Sequence, residues 1–186
     1  MKLVHPKYKY VELAIGGVNK RGKIVTLDEV AVPTDAVDCF TTMFRFSEAF
    51  ATHVKDTGSV AKYAGPCWCD WLWYDIDAPV LDEAASALVK LIERLESIDS
   101  KLPETLRIYF SGAKGFHCGI PIAALGNKLK PSNDFAQTMR SIAEKIAHGI
   151  KYDDIYNTTR LWRIPNTING KTGLRKVLIS LEDVLQ

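Results

Sequence analysis

Cysteine is scarce in this chain: Cys39, Cys67, Cys69 and Cys118 are the only four in 186 residues. They are too few and too irregularly spaced to frame a disulfide-stapled secreted domain, so a reducing, cytoplasmic setting is expected. Long hydrophobic runs are missing as well; stretches such as Trp71 to Tyr74 are far too short to span a membrane. The chain does not open with a basic segment, an apolar core and a small-residue cleavage site, so no signal peptide is expected. Repeats, low-complexity tracts and linker-like stretches are also lacking, which points to one domain over residues 1–186. With 47% apolar and 25% charged residues, the composition is that of a globular chain and not of a disordered one. A net charge of +2 identifies no partner by itself. Acidic residues, however, are absent between Asp154 and Glu182, where Arg160, Arg163, Lys171, Arg175 and Lys176 all fall. A segment of one sign either meets phosphates or forms a solvated basic face.

What is present organises into alternating short strands and helices. Residues 1–65 read as a mixed N-terminal part, with strand character at Tyr8–Ile15 and Lys23–Thr26. A helix is expected over Thr42–Val54, closed by a turn at Asp56–Ser59. Trp68–Ile76 is aromatic and β-prone and ends at Asp75-Ile76-Asp77, with Pro79 beyond it. Asp82 caps an expected helix whose Ala85, Leu88, Leu91, Ile92 and Leu95 recur at helical spacing. Leu106–Phe110 and Phe116–Ile122 read as strands joined by the turn Ser111–Gly115. That short gap predicts an antiparallel hairpin. A second helix is expected from Pro131-Ser132, with Phe135, Met139, Ile142 and Ile146 on one face and Gly149 as its end. Leu161–Ile164 and Leu174–Ile179 are two further expected strands. The fold class that follows is α+β, an antiparallel sheet with helices on one face.

Two aspartates close the aromatic strand. Residues i and i+2 of a strand share a face, so Asp75 and Asp77 project together. Two such carboxylates repel unless a cation lies between them, and hard divalent ions such as Mg²⁺ take carboxylate oxygens while keeping room for phosphate. The plainer alternative is one aspartate at the turn and one in solvent.

The turn Ser111-Gly112-Ala113-Lys114-Gly115-Phe116-His117 has the composition of a phosphate cradle. Two glycines admit close backbone approach, Ser111 offers a hydroxyl, Lys114 a point charge and His117 a ring nitrogen. Its spacing fits neither a Walker loop nor a dinucleotide fingerprint. Arg160-Leu161-Trp162-Arg163 is a basic strand, and the loop Asn166–Gly173 after Pro165 is rich in donors and glycine, with Lys171 as a further cation. Several cations together suit a nucleoside triphosphate. The plainer readings are a glycine-rich hairpin and a surface turn at Asn169-Gly170. Paired acids, a glycine-lysine-histidine turn and a basic strand-loop are the parts of metal-dependent phosphoryl or nucleotidyl transfer.

These three motifs, in this order, resemble the archaeo-eukaryotic primase superfamily. Trp71-Leu72-Trp73-Tyr74-Asp75-Ile76-Asp77 is similar to its hydrophobic strand ending in two metal-binding acids. Ser111-Gly112-Ala113-Lys114-Gly115-Phe116-His117 is similar to its second motif. Arg160–Pro165 with Asn169–Leu174 looks like its third region, and the resemblance spans about residues 66–181. It implies a catalytic part over 66–186, built on a sheet like that of RNA-recognition motifs, beside a smaller N-terminal α/β unit over 1–65. It implies a DNA primase or polymerase activity, with two Mg²⁺ or Mn²⁺ ions held by Asp75, Asp77 and a third acid. Both Asp153 and Asp154 lie upstream of Arg160, and Asp153 ends the more β-prone segment.

By the same resemblance Ser111, Lys114, Gly115, His117, Arg163, Asn169 and Lys171 would hold the triphosphate, with Arg160 there or against the template. Asn169 stands where many archaeal relatives carry histidine; it still donates a hydrogen bond but has no charge. No structural zinc is expected, since Cys67-Trp68-Cys69 lacks a second ligand pair. The implied partners are single-stranded DNA template and primer, nucleoside or deoxynucleoside triphosphates, and an accessory primase subunit or plasmid- or CRISPR-linked replication proteins. Two other classes fit parts of the pattern. A non-catalytic nucleic-acid-binding module would use Trp71, Trp73 and Tyr109 as an aromatic face, and a metal-dependent nuclease would also use clustered acids.

Overall fold

Period-two alternation in the strand Trp71–Asp77 decides where the core lies. In the computed structural model, which describes residues 5–126 and 128–185, Leu72, Tyr74 and Ile76 are fully buried on one side of that strand. The first four residues of the 1–65 region lie outside the described residues. Trp71, Trp73, Asp75 and Asp77 take the other side by the same alternation. The strand, β6, pairs antiparallel with β8 (Gly115–Pro121), β8 with β7 (Arg107–Phe110), and β7 with β10 (Val177–Ile179), giving a four-stranded sheet in the order β10-β7-β8-β6. The hairpin expected at Ser111–Gly115 is the β7–β8 connection, closed by the Ser111 N–H donating to the Gly115 carbonyl at 2.9 Å.

Two helices bury the apolar face of this sheet. In α2 (Leu81–Ile98) the residues Ala84, Leu88, Leu91, Ile92 and Leu95 are buried; each large aliphatic there stabilises the fold by roughly 1.5–3 kcal/mol. In α3 (Phe135–Ile146) Phe135, Ala136, Met139 and Ala143 are buried. The Tyr74 hydroxyl spans the layers and donates to the Ala143 carbonyl at 3.2 Å, satisfying the one polar atom this face presents. Both helices start at other residues than the sequence suggests. Asp82 sits in the first turn of α2 instead of capping it, and α3 begins after Asp134, since Ser132 forms a bridge to Cys67 and Asn133-Asp134 a turn. The expected helix over Thr42–Val54 is divided: β4 (Arg45–Phe46) precedes α1 (Glu48–Thr57), because continuous burial through Phe44–Phe46 fits a strand held inside a sheet better than one face of a helix.

A second, six-stranded sheet forms around β1 (Tyr10–Ala14), which pairs with β2 (Lys23–Thr26), β3 (Phe40–Thr42) and β4. Its remaining strands come from elsewhere in the chain. β5 (Cys67–Trp68) pairs with β4, and β9 (Leu161–Arg163) pairs with β3 in the register Thr41↔Trp162 and Phe40↔Arg163. The basic strand that the sequence groups with the acid-bearing sheet is therefore part of the N-terminal one. The short α4 (Leu181–Leu185) packs near α2. The class is α+β with antiparallel sheets, and no helix among the described residues is long and apolar enough to cross a membrane. All four cysteines are buried free thiols.

Candidate nucleotide and metal site

The polar face of β6, β7 and β8 meets β9 in a cavity of about 190 Å³. Asp75, Asp77, Ser111, His117, Arg160, Arg163 and Asn169, all named from the sequence, line it together. Register explains the convergence on the sheet side: Asp75 lies opposite His117, which lies opposite Tyr109, and Asp77 lies opposite Gly115. Glycine at 115 is required, because a Cβ there would fall 1.9 Å from Asp77 Oδ1. Gly119 does the same for Trp73, whose ring a Cβ would approach to 2.5 Å. The acid and the tryptophan thus lie across β8 where its side chains are missing.

Asp75 is the electrostatic centre. Burial, then the carboxylates of Asp77 and Asp153, push its carboxyl up to about 6, against the pull of Arg160 and Lys176. Asp77 is also raised, by burial and Asp153, and Lys114 opposes this. The third acid is placed by the backbone: the Asp153 N–H donates to the Asp75 carbonyl at 2.8 Å, a one-residue antiparallel bridge on the free edge of β6. Asp154 turns the other way, with its carboxylate 2.8 Å from the Arg140 guanidinium, and is not brought to the acid pair. Among the described residues no three His, Cys, Asp or Glu side chains already converge as an ion cage. The repulsion among Asp75, Asp77 and Asp153 is what a cation would relieve, so these residues fit a divalent ion by chemistry.

His117 approaches Asp75 Oδ1 at 3.4 Å through Nε2, yet the contact is no ion pair. Burial and the neighbouring Lys176, Arg163 and Arg160 pull the imidazole well below its ordinary range, so it is neutral. Its ring stacks on Trp162 with centroids 4.0 Å apart. Three buried polar atoms on residues lining this cavity have no partner within the protein: His117 Nδ1, Ser111 Oγ and Trp162 Nε1. Only two other such atoms, Arg45 Nη1 and the Tyr63 hydroxyl, occur among the described residues. Buried polar atoms are nearly always satisfied, so three orphans on residues of one cavity call for a water or a polar ligand as partner.

The cations are held in distinct ways. Arg160 lies 3.6 Å from Asp75 Oδ2 and is partly exposed. Arg163 stacks over Phe40 and pairs with Asp38 at 2.8 Å. Lys114 is exposed on its turn near Asp77, and Lys171 is exposed on its loop near Asp38. Asn169 is buried and folds its Oδ1 back to accept from the Lys171 N–H at 3.0 Å. The Thr172 hydroxyl donates to the Gly112 carbonyl and ties this loop to the phosphate-like turn.

Two residues of this neighbourhood belong to none of the three sequence motifs, and Lys176 is marked only as a member of the basic segment. Asp38 clamps both Arg163 and the Gly170 N–H, which donates to its Oδ1 at 3.0 Å, from a left-handed backbone with φ 51°. An isolated aspartate before a strand carries no motif, and only an unusual φ marks it. Lys176 is 1% exposed, with its ammonium over the rings of Trp73, Tyr109 and Trp162 at 5.9, 4.9 and 4.8 Å and donating to the Arg163 carbonyl at 2.9 Å. Burial and Arg163 pull it down to about 7 while Asp75 opposes, and the three π faces add to the side of the charged form. No family model, curated protein or solved structure matches the chain, so the assignment of this site rests on its own residues.

Proposed function

We propose that this chain is a template-directed nucleotidyltransferase, a DNA primase or polymerase core that adds nucleotides to a 3′-hydroxyl. The observation that carries the reading is the convergence, in one cavity, of two raised acids, two arginines and three unpartnered buried polar atoms. The sequence resemblance to the archaeo-eukaryotic primases supports it, because Asp75, Asp77, Ser111, His117, Arg160, Arg163 and Asn169 of its motifs line that cavity, while Lys114, Gly115, Lys171 and Asp153 lie outside its lining. The chain order β6–α2–β7–β8–α3, with β8 between β6 and β7 and the Asp153 bridge on the outer edge of β6, supports a core like an RNA-recognition motif. β10 departs from that plan by adding to β7.

In this reading Ser111 Oγ and Trp162 Nε1 donate to the triphosphate of the incoming nucleotide. His117, neutral and stacked, offers a nitrogen without adding charge. Arg163 and Arg160 offset the phosphate charge from the β9 side, and Lys114 and Lys171 do so from the two loops that flank it. Asp75, Asp77 and Asp153 would hold two divalent ions, Mg²⁺ or Mn²⁺, whose chemistry when bound is to activate the 3′-hydroxyl and stabilise the departing pyrophosphate. The 3′-hydroxyl loses its proton to solvent as its oxygen bonds to the α-phosphorus, the bond from that phosphorus to the oxygen bridging it to the β-phosphate breaks, and pyrophosphate leaves with its charge facing the arginines. A non-catalytic module would need an open aromatic face, but Trp73 and Tyr109 lie beneath Lys176 and Trp162, which weighs against it.

The test is nucleotide incorporation on unprimed and primed single-stranded DNA with Mn²⁺ or Mg²⁺, beside Asp77→Ala. Synthesis that falls at least about a hundredfold in a folded Asp77→Ala supports the reading. Normal yield from that variant sinks it, and shortening of a labelled strand would turn it into a nuclease.

A further inference from the structure

A larger cavity, about 690 Å³, adjoins the acid site and shares with it a wall made by Phe40, Arg160 and Leu161. The two cavities differ in chemistry. The smaller holds the acids and the phosphate-like turn. The larger carries three guanidiniums, from Arg21, Arg140 and Arg160, together with Asn157 and Thr159. Its only aromatic, Phe40, is already covered by Arg163, so it offers no plate for stacking a base.

Each guanidinium is tethered on one side. Arg21 binds the fully buried Glu12 carboxylate through Nε at 3.1 Å and donates to the Thr159 carbonyl at 2.9 Å. Glu12 is further held by the Gly22 N–H at 2.7 Å, which fixes Arg21 in turn. Arg140 pairs with Asp154, whose side chain is 60% exposed; a water-facing pair of this kind is weak and yields to a phosphate. Arg160, at 3.6 Å from Asp75, stands between the two cavities. The segment bearing Asn157, Thr159 and Arg160 leaves Asp153 directly and is stiffened by turns: Asp154 Oδ1 accepts from the Tyr156 N–H at 3.1 Å, and Asn157 Oδ1 from the Thr159 N–H at 3.0 Å.

We propose that this cavity binds the sugar-phosphate backbone of the nucleic-acid strand that supplies the attacking 3′-hydroxyl, its phosphates resting on Arg21, Arg140 and Arg160. The inference rests on the nucleotidyltransferase reading. Attacking and leaving oxygens lie in line across the phosphorus. With the triphosphate against Ser111, Arg163 and Asn169, the attacking strand enters from the far side of the Arg160 wall, where this cavity lies. Guanidiniums lining one cavity suit backbone phosphates and read no sequence.

Binding of a fluorescein-labelled oligothymidylate, followed by anisotropy in EDTA across a salt series, tests this. Arg140→Glu is expected to weaken binding about tenfold and lower the salt slope by about one, with Arg140→Lys in between. Asp154→Asn, which frees Arg140, is expected to tighten it; this second variant keeps the test valid if Arg140→Glu fails to fold. Neither change is expected to alter Mn²⁺-dependent binding of a fluorescent nucleoside triphosphate. An oligonucleotide affinity and slope unmoved by both variants, no oligonucleotide binding by the wild-type chain, or competition by thymidine monophosphate as effective as by the oligonucleotide each overturns the proposal. Oligonucleotide binding that depends on Arg140 without any metal-dependent triphosphate binding would instead overturn the nucleotidyltransferase reading and leave the strand site standing.

Discussion

The two faces of the β10-β7-β8-β6 sheet are built from the same strands by opposite rules. On the helix side Leu72, Tyr74, Ile76, Phe116, Cys118 and Ile120 are all buried, and the lone hydroxyl there finds a carbonyl. On the other side, one residue along each strand, Asp75, Asp77 and His117 line a cavity with repelling carboxylates and an unpartnered ring nitrogen. The first face is complete in itself and supplies stability. The second is left electrostatically incomplete, which is the condition a bound polyanion and its cations would satisfy. The cost of the site is thus carried by the packing behind it.

Moving a carboxylate from one face to the other breaks this contrast most severely. Ile76→Asp places a charge among α2 side chains with nothing to pair it, and a loss of about 4 kcal/mol or more is expected, read as absence of a cooperative thermal transition. Leu91→Ala, behind the sheet, is expected to cost about 2–5 kcal/mol in denaturant unfolding. The folded fraction should retain the proposed metal-dependent nucleotide affinity at the wild-type level; a changed affinity would mean the two faces are not independent. Gly115→Ala acts at the boundary. The added methyl cannot coexist with Asp77 as placed, so a stability loss of about 1–3 kcal/mol is expected together with a loss of nucleotide binding. Binding at the wild-type level would show that Asp77 is free to move aside.

The last effect has the opposite sign. The Asp75 carboxyl stands near 6 in the fold against 3.8 for an unstructured aspartate, so the native chain holds this proton more tightly than the unfolded one. Its contribution to stability is present at low pH and is lost as pH rises from about 4 through 6. Asp75→Asn lacks that loss. In metal-free buffer it should match the wild type below pH 4 and exceed it by about 3 kcal/mol above pH 7, measured as the difference in urea unfolding free energy. A variant less stable than wild type at pH 7.5 would show that the Asp75 carboxylate is a net stabiliser through Arg160.

Much of the acid-bearing face was legible in the sequence because its signals are local. Alternation in Trp71–Asp77, the hairpin around Ser111–Gly115 and the one-sign segment after Asp154 each occupy a few consecutive residues, and β2, β7 and β8 lie within a residue or two of their expected bounds. The choice between Asp153 and Asp154 was not legible, since it depends on which of two neighbours forms a backbone bridge to Asp75. Nor was the home of β9. Its pairing with β3 leaves no periodic trace, because register between distant strands is set by partners that neither strand encodes alone. The clamp by Asp38 and the aromatic enclosure of Lys176 were hidden for the same reason.

That borrowed strand has a consequence for how the protein comes into being. Asp38 and Arg163 are 125 residues apart in the chain, and the cavity has no second wall until they meet. During synthesis, every segment up to the end of α3 emerges before the strand that completes the site. The pocket therefore forms only after a long loop has closed, and a ribosome-bound chain stopped before β9 has acids but no pocket.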